Sequence, residues 1–363
     1  MRMKIKGLSL ILALSFFAAF AGFSQDEKEV FKIEKEIEHL PVISQGNTGT
    51  CWSFATTSFI ESEIIRTGFA ETDLSEMYFV YFGYINKAKQ YLMYQGNNGF
   101  SQGGQAHDVF DVVREKGMIT FDEFPGEKIE GKYQHKDLVN NLTTEVAELN
   151  KKGDDFNVED LKSVDSILKS QIGKVPQKIK TNDGKYSPEE FAKKFEINPD
   201  DYVEISSYSH HPFYKQFALE VPDNWAHELY YNMPIDELME IMYNALNSGY
   251  TVCWDGDTSE KTFMHTKGKA DLPEKQIGKV DQKLRQETFL NRSTTDDHLM
   301  HIVGLSKDAA GRNCFFTKNS WGAESNTYGG YLHMTDDYVR LKTLAILVHK
   351  DAIPENIRKK LNL

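Results

Sequence analysis

The sequence predicts an α+β fold of two lobes, with helices first and a mostly antiparallel sheet second. Three observations lead to it. Up to residue 116, apolar residues recur at three- and four-residue steps, the period of an amphipathic helix. From Tyr202 onwards, short apolar runs are separated by loops holding Asp255-Gly256, Ala310-Gly311 and Gly329-Gly330, the pattern of strands and turns. Between them, residues 127–201 are rich in Lys, Asp, Glu and Asn, with few aromatics. A cleft between two such lobes is a natural place for a site.

At the N-terminus Arg2, Lys4 and Lys6 precede an apolar run over residues 8–20, too short for a comfortable membrane span. Gly22 and Ser24 suit cleavage near Gln25. Residues 1–24 are therefore expected to be a signal peptide. The mature chain is expected to be secreted or periplasmic, with no stable membrane span once the peptide is cleaved. Residues 25–40 are charged and read as a solvated leader. Residues 41–126 form the helical lobe. In it Pro41, Val42 and Ile43 read as a short strand that enters a turn-rich segment with Gly46, Asn47 and Gly49. A helix starts at Cys51 and stops at Gly68. A second covers residues 74–92, with Ser75 as its N-cap, and a third covers residues 106–116, closed by Gly117. Residues 127–201 read as a helical insertion on the surface, with helix signals over residues 158–168 and a capping signature at Ser187-Pro188-Glu189-Glu190. Residues 202–363 form the β-rich lobe. Its strands are expected over residues 202–208, 250–254, 301–305, 314–317, 331–334 and 344–348, with residues 217–221 pairing onto the first and one helix over residues 235–248.

The 363 residues carry a formal net charge of −12, and about −15 without Arg2, Lys4 and Lys6. That balance argues against nucleic acid as a partner, because phosphate binding needs positive charge. The three cysteines, Cys51, Cys253 and Cys314, do not make a disulfide scaffold. Cys253 and Cys314 lie in strand-like apolar runs, which favours unpaired buried thiols over a pair.

Cys51 is placed at a helix N-terminus, where backbone N–H groups and the helix dipole favour an anion. Its thiol is expected to be acidified and nucleophilic. A thiolate needs a base, and His298, after a polar loop and at the mouth of a strand, is the candidate. Its neighbour His301 opens the apolar strand and is expected to be structural or on the outer side of the sheet. The carbonyl of Asn319, in Asn319-Ser320-Trp321-Gly322, can accept a hydrogen bond from the His298 ring, and Trp321 can cover that bond from water. Gln45 can donate its amide N–H₂ to a developing oxyanion, together with the backbone N–H of Cys51. Gly103-Gly104-Gln105 is no phosphate cradle, because no Gly-Lys-Ser/Thr follows. No His-Glu-x-x-His or paired-cysteine spacing suggests a metal.

The order Gln45, Cys51-Trp52, Phe54-Ala55, His298 and Asn319-Ser320-Trp321-Gly322 resembles the papain-like cysteine peptidases, and within them the bleomycin hydrolase and aminopeptidase C branch. Leu74-Ser75-Glu76, Gly103-Gly104-Gln105, Asp200-Asp201-Tyr202-Val203 and Met233-Pro234-Ile235-Asp236 are similar to that branch as well. Cys51 and His298 are 247 residues apart, against about 130–150 in papain and cathepsins. The insertion and a long polar loop over residues 258–295 account for the excess. The resemblance implies a papain-like two-lobe fold and thiol-dependent hydrolysis of peptides or proteins, without metal or cofactor. Cys51 would be the nucleophile, His298 the general acid and base, Asn319 its orienting group and Gln45 an oxyanion donor. Gly103 and Gly104 would bind substrate, Trp52 and Trp321 would give structural support, and a homo-oligomer is compatible with the branch. Relatives restrict cutting to peptide N-termini with a C-terminal tail that enters the cleft. Here only residues 349–363 follow the last strand, so an endopeptidase with an open cleft stands beside an aminopeptidase. A non-catalytic binding protein and an acyl transferase on the same scaffold are the remaining alternatives.

Overall fold

The computed structural model describes residues 30–181 and 184–363, so the expected signal peptide lies outside the described residues. The first element, β1 (Lys32–Glu36), is exposed along most of its length and pairs antiparallel with residues 304–307. The charged leader thus carries an outer sheet strand. Residues 41–43 form no strand. Only Ser44 makes a bridge, to Trp321.

Helix α1 (Cys51–Arg66) runs through the middle of the molecule, and fourteen consecutive residues from Cys51 to Ile64 are buried. Apolar and small polar side chains therefore surround it on all faces, as a helix enclosed by its neighbours requires. Phe59, Ile60 and Ile64 are completely buried, each worth roughly 1.5–3 kcal/mol. α2 (Glu76–Met93) starts at Ser75, whose hydroxyl accepts from the Tyr78 N–H, and α3 (Ala106–Lys116) is closed by Gly117. α4 (Lys136–Lys151) and α5 (Lys162–Gln171) follow. Leu138, Leu142, Val146, Val164 and Leu168 from these two helices join the same core as α1, α2 and α3. The segment expected as a surface insertion is therefore a thickening of the helical lobe's own core. The small hairpin β2 (Ile179–Thr181) and β3 (Gly184–Tyr186) precedes α6 (Pro188–Lys194), which opens with the capping box read from Ser187 and Glu190.

The second lobe is built from β4 (Tyr202–Ser206), β5 (Gln216–Ala218), β6 (Leu229–Asn232), α7 (Ile235–Asn247), β7 (Val252–Gly256), β8 (Phe263–Met264), β9 (Lys269–Ala270), α8 (Gln282–Leu290), β10 (His298–Lys307), β11 (Asn313–Lys318), β12 (Tyr331–Thr335), α9 (Asp336–Lys342), β13 (Thr343–His349) and α10 (Glu355–Leu361). The strands join in the order β5-β6-β4-β13-β7-β10-β11-β12-β9-β8, with β1 on β10. Most pairs are antiparallel, while β4/β6 and β9/β12 are parallel. β5 pairs with β6 and not with β4 as the apolar pattern suggested. One face of the sheet packs on α7, where Ile235, Leu238, Ile241 and Met242 meet Trp254, Met300, Ile346 and Val348. Residues of the opposite face, Cys253, Leu299 and Leu347, belong to the helical core. α10 seats Ile357 and Leu361 in the α7-side core, and Lys360 pairs with Glu237. All three cysteines are free and buried, and no helix among the described residues is long and apolar enough to cross a membrane.

Candidate active site between the lobes

The turn before α1 is set by Gly46. Its φ is +64°, and a Cβ there would meet the Tyr133 carbonyl oxygen at 2.7 Å, so glycine is required on both counts. Thr50 gives α1 no side-chain cap, since its hydroxyl is bonded to that of Thr48. The first intrahelical bonds run from the N–H groups of Ser53 and Phe54 to the Thr50 carbonyl. The N–H groups of Cys51 and Trp52 make no hydrogen bond among the described residues and are free to meet an anion.

Cys51 faces the start of β10, where the backbone of Leu299 lies against its sulfur and favours the thiolate. Leu299 follows His298, and the His298 Nε2–H donates to Asn319 Oδ1 at 2.7 Å. That bond leaves Nδ1 as the basic nitrogen. Asn319 Oδ1 also accepts from the Ser320 N–H at 2.7 Å, while its Nδ2 donates to His265 Nδ1 at 3.2 Å. The amide therefore has one orientation that satisfies all its partners. Trp321 lies over this pair, 5.0 Å from the His298 ring and 4.6 Å from the His265 ring between centroids.

Gln45 is tied to the same loop. Its backbone N–H donates to the Ser320 carbonyl at 2.8 Å, and its Oε1 accepts from Ser320 Oγ at 2.6 Å. One proton of its Nε2 goes to the Thr48 carbonyl at 2.7 Å, which leaves the second available. Trp52 is buried, donates to the Gln102 carbonyl at 2.9 Å and packs on Gly83 and Gly104. Gly103 accepts from Lys87 Nζ, and a Cβ on it would lie 1.8 Å from an Asp223 oxygen. Gly104 backs onto Asp108 and Trp52.

The structure thus brings Gln45, His298, Asn319 and Trp321 together where the lobes meet, and sets Cys51, at the start of α1, against the backbone of Leu299, the residue after His298. It corrects one expectation and, for His301, decides for the structural place over the outer side of the sheet. The thiol is not acidified: burial pushes Cys51 up to about 12, with Asp255, Asp296 and Asp223 adding to it against the Leu299 backbone. Burial likewise pulls His298 down to about 4, against the bond to Asn319. Each charge alone is disfavoured, so the resting pair is a neutral thiol and a neutral imidazole. His301, in turn, points inward. It is buried against Phe59, and its Nδ1 bonds Ser58 Oγ of α1 at 2.8 Å.

Sequence reasoning missed His265. Its Nδ1 accepts from Asn319 and its Nε2–H donates to Ser325 Oγ at 2.8 Å. A histidine in a polar loop carries no periodic signal, and only the fold sets it behind Asn319. As a positioning residue it should act through Asn319. His265→Ala is expected to lower kcat about three- to tenfold with KM unchanged, and His265→Gln, which can still accept the amide, should recover part of the loss. Loss confined to thermal stability, or no rescue by Gln, would refute this.

A helix-borne thiol facing a sheet-borne imidazole and amide defines a papain-like cysteine peptidase. The Peptidase C1-like family model matches residues 176–363, and the Papain family cysteine protease model matches residues 29–186. The chain belongs to the Peptidase C1-like family, in the bleomycin hydrolase and aminopeptidase C branch. It is 22% identical to a bleomycin hydrolase of Gallus gallus over 92% of this chain and 85% of that protein. It is 20% identical to aminopeptidase G of Lactobacillus delbrueckii subsp. lactis, over 88% of this chain and 83% of that one. The crystal structure of PepW from Lactobacillus rhamnosis HN001 superposes with a TM-score of 0.74 at 17% identity, covering 91% of this chain and 84% of that chain, and shows the same fold.

Proposed function

We propose that this cysteine peptidase is an exported aminopeptidase whose relay is Cys51, His298 and Asn319. The observation that carries the relay is the His298 Nε2–Asn319 bond, which leaves Nδ1 basic, with the next residue, Leu299, against the thiol at the uncapped start of α1. In the reaction the Cys51 proton passes to His298 Nδ1 as sulfur adds to the peptide carbonyl. The tetrahedral oxyanion takes the free N–H groups of Cys51 and Gln45. Collapse breaks the C–N bond, and the leaving amine takes the proton from His298. Water then gives its proton to His298, attacks the thioester and releases the acid with the thiol restored. Relatives named aminopeptidase G and aminopeptidase C support the exopeptidase reading. The positive and apolar N-terminal pattern supports export.

A thiol-directed epoxide should modify Cys51 alone, one per chain, and stop turnover of a fluorogenic alanyl amide. Labelling elsewhere, or turnover that survives labelling, would refute the relay. An aminopeptidase should leave the N-acetylated amide uncut. Equal rates on both would instead establish the open-cleft endopeptidase, a reading favoured by the seat of α10 on α7. Export predicts a mature N-terminus near Gln25 in the periplasmic or culture fraction, and an intact Met1 in the cytoplasm would refute it.

A further inference from the structure

Asp255 stands inside an apolar strand, in Val252-Cys253-Trp254-Asp255-Gly256. It is 3% exposed, and its side-chain neighbours are the Gln105 amide and a second carboxyl, Asp296, neither of which reaches its oxygens in ordinary hydrogen-bond geometry. A buried carboxyl with no partner costs folding free energy, and such a cost points to a ligand that supplies the partner. Its surroundings say which kind. Across the sheet Asp255 is opposite Leu299, whose backbone lies against the Cys51 sulfur. Asp296, half-buried on the loop that leads to His298, faces it, and Gln105 Nε2 donates to Asp296 at 3.0 Å. Asp223 lies over Gly103, where only glycine leaves room for it, and bonds Ser101 Oγ at 3.2 Å. The hydroxyl of Tyr208 is also buried without a hydrogen-bond partner, and the charges of Asp255 and Asp296 reach it. All three carboxyls act on the Cys51 sulfur.

Lys87 offsets Asp223 in part, and no cation of the described residues touches the three. Among the described residues none of Asp223, Asp255 and Asp296 forms an ion pair. Lys87, the cation nearest Asp223, is committed to the carbonyls of Ser101 and Gly103. Arg285 lies over the Tyr208 ring, with its guanidinium bonded to the carbonyls of Ser207, Arg340 and Leu341. Three carboxyls at one nucleophile, one of them buried and unpartnered, need a donor with several N–H groups and a positive charge. An ammonium group is that donor.

We propose that Asp255, Asp296 and Asp223 form a subsite beside Cys51 that binds the ammonium group of a peptide substrate. The inference rests on the peptidase reading and gives it a selectivity. The ammonium is either the α-amine of the first residue or the Nζ of a lysine side chain. In both cases the carboxylates hold a peptide in register against the thiol. The departing group and the bond cut are those of the relay.

The test uses three fluorogenic amides, of alanine, N-acetylalanine and N-acetyl-lysyl-alanine, on the full mature chain with Asp255→Asn and, separately, Asp296→Asn. Both substitutions keep shape and remove charge, and epoxide labelling of Cys51 counts the competent sites. For α-amine binding, kcat/KM for the alanyl amide should fall at least about tenfold, mostly through KM, while any rate on the N-acetylalanyl amide stays as in the wild type. For lysine binding, the equivalent fall should appear in the N-acetyl-lysyl-alanyl over the N-acetylalanyl ratio. A common factor on all three amides, or no change in any, overturns the subsite while the peptidase reading stands. If the wild-type chain cuts none of the amides and Cys51 takes no epoxide, the peptidase reading fails instead. Thermal shift by alaninamide then decides the subsite: stabilisation lost in Asp255→Asn supports it, and equal or absent stabilisation overturns it.

Discussion

Cys51→Ser and His298→Ala should each lower kcat/KM for a peptide amide by at least about four orders of magnitude, and the double variant should lose little more. The reason lies in the two resting charges. With Cys51 at about 12, a thiol without its base is ionised in only about one molecule in 10⁵ at pH 7. His298 makes attack possible by taking the proton as sulfur adds, so neither charge has to exist alone in a buried site. The two residues act as one unit, and the second loss finds nothing left to remove. His298→Ala should also acquire a pH dependence of known sign. Thiolate rises about tenfold per unit below its pKa, so the residual rate should climb about tenfold per unit between pH 7 and 10. A flat profile, or a residual rate above about one per cent, would show that another group takes the proton.

Lys318→Met should destabilise the chain by about 3–5 kcal/mol, read by urea unfolding, because it strands buried carboxyls that share one cation. Lys318 ends β11, one residue before Asn319, and its side chain enters a cavity of about 240 Å³ between the lobes. Glu61, Asp73 and Glu76 line that cavity, each with a carboxyl oxygen within 4.8 Å of the others'. Burial raises all three, and Lys318 opposes the rise. Glu61 accepts from the Leu74 N–H at 3.0 Å, whereas Glu76 Oε2 has no hydrogen-bond partner. Lys318 Nζ also donates to Ser58 Oγ at 2.8 Å, and Ser58 is bonded to His301. The cation therefore ties α1 and α2 to the strand that presents Asn319. Methionine keeps the chain length and removes the charge together with the bond to Ser58. A second change, Glu76→Gln, should return part of the loss by removing one stranded carboxylate. A loss under about 1 kcal/mol would mean that these carboxyls are already neutral without Lys318.

Most of the helical elements were legible because their signals are local. Ser75, Gly117 and the Ser187–Glu190 box lie where the helices start and stop. The strands of the sheet were legible as apolar runs, but their partners were not. β5 on β6 and the parallel β4/β6 pair depend on which edge is free after the chain has folded. Helix α4 was missed because its four buried residues sit among polar and charged ones, and its apolar face is defined only by contact with α5 and α2.

The sequence by itself determined the residue types of the relay, since Gln45, Cys51, His298 and Asn319 sit in local contexts that carry their chemistry. It also determined which lobe supplies each of them, because helix and strand periods differ along the chain. Tertiary structure alone decided the electrostatics. Burial, not the helix N-terminus, dominates the proton affinity of Cys51. His265 stands behind Asn319, and Asp255 stands unpartnered beside the thiol, through strand pairings that join residues far apart in the chain. Charge effects depend on distance and desolvation, and neither exists until the lobes close on each other.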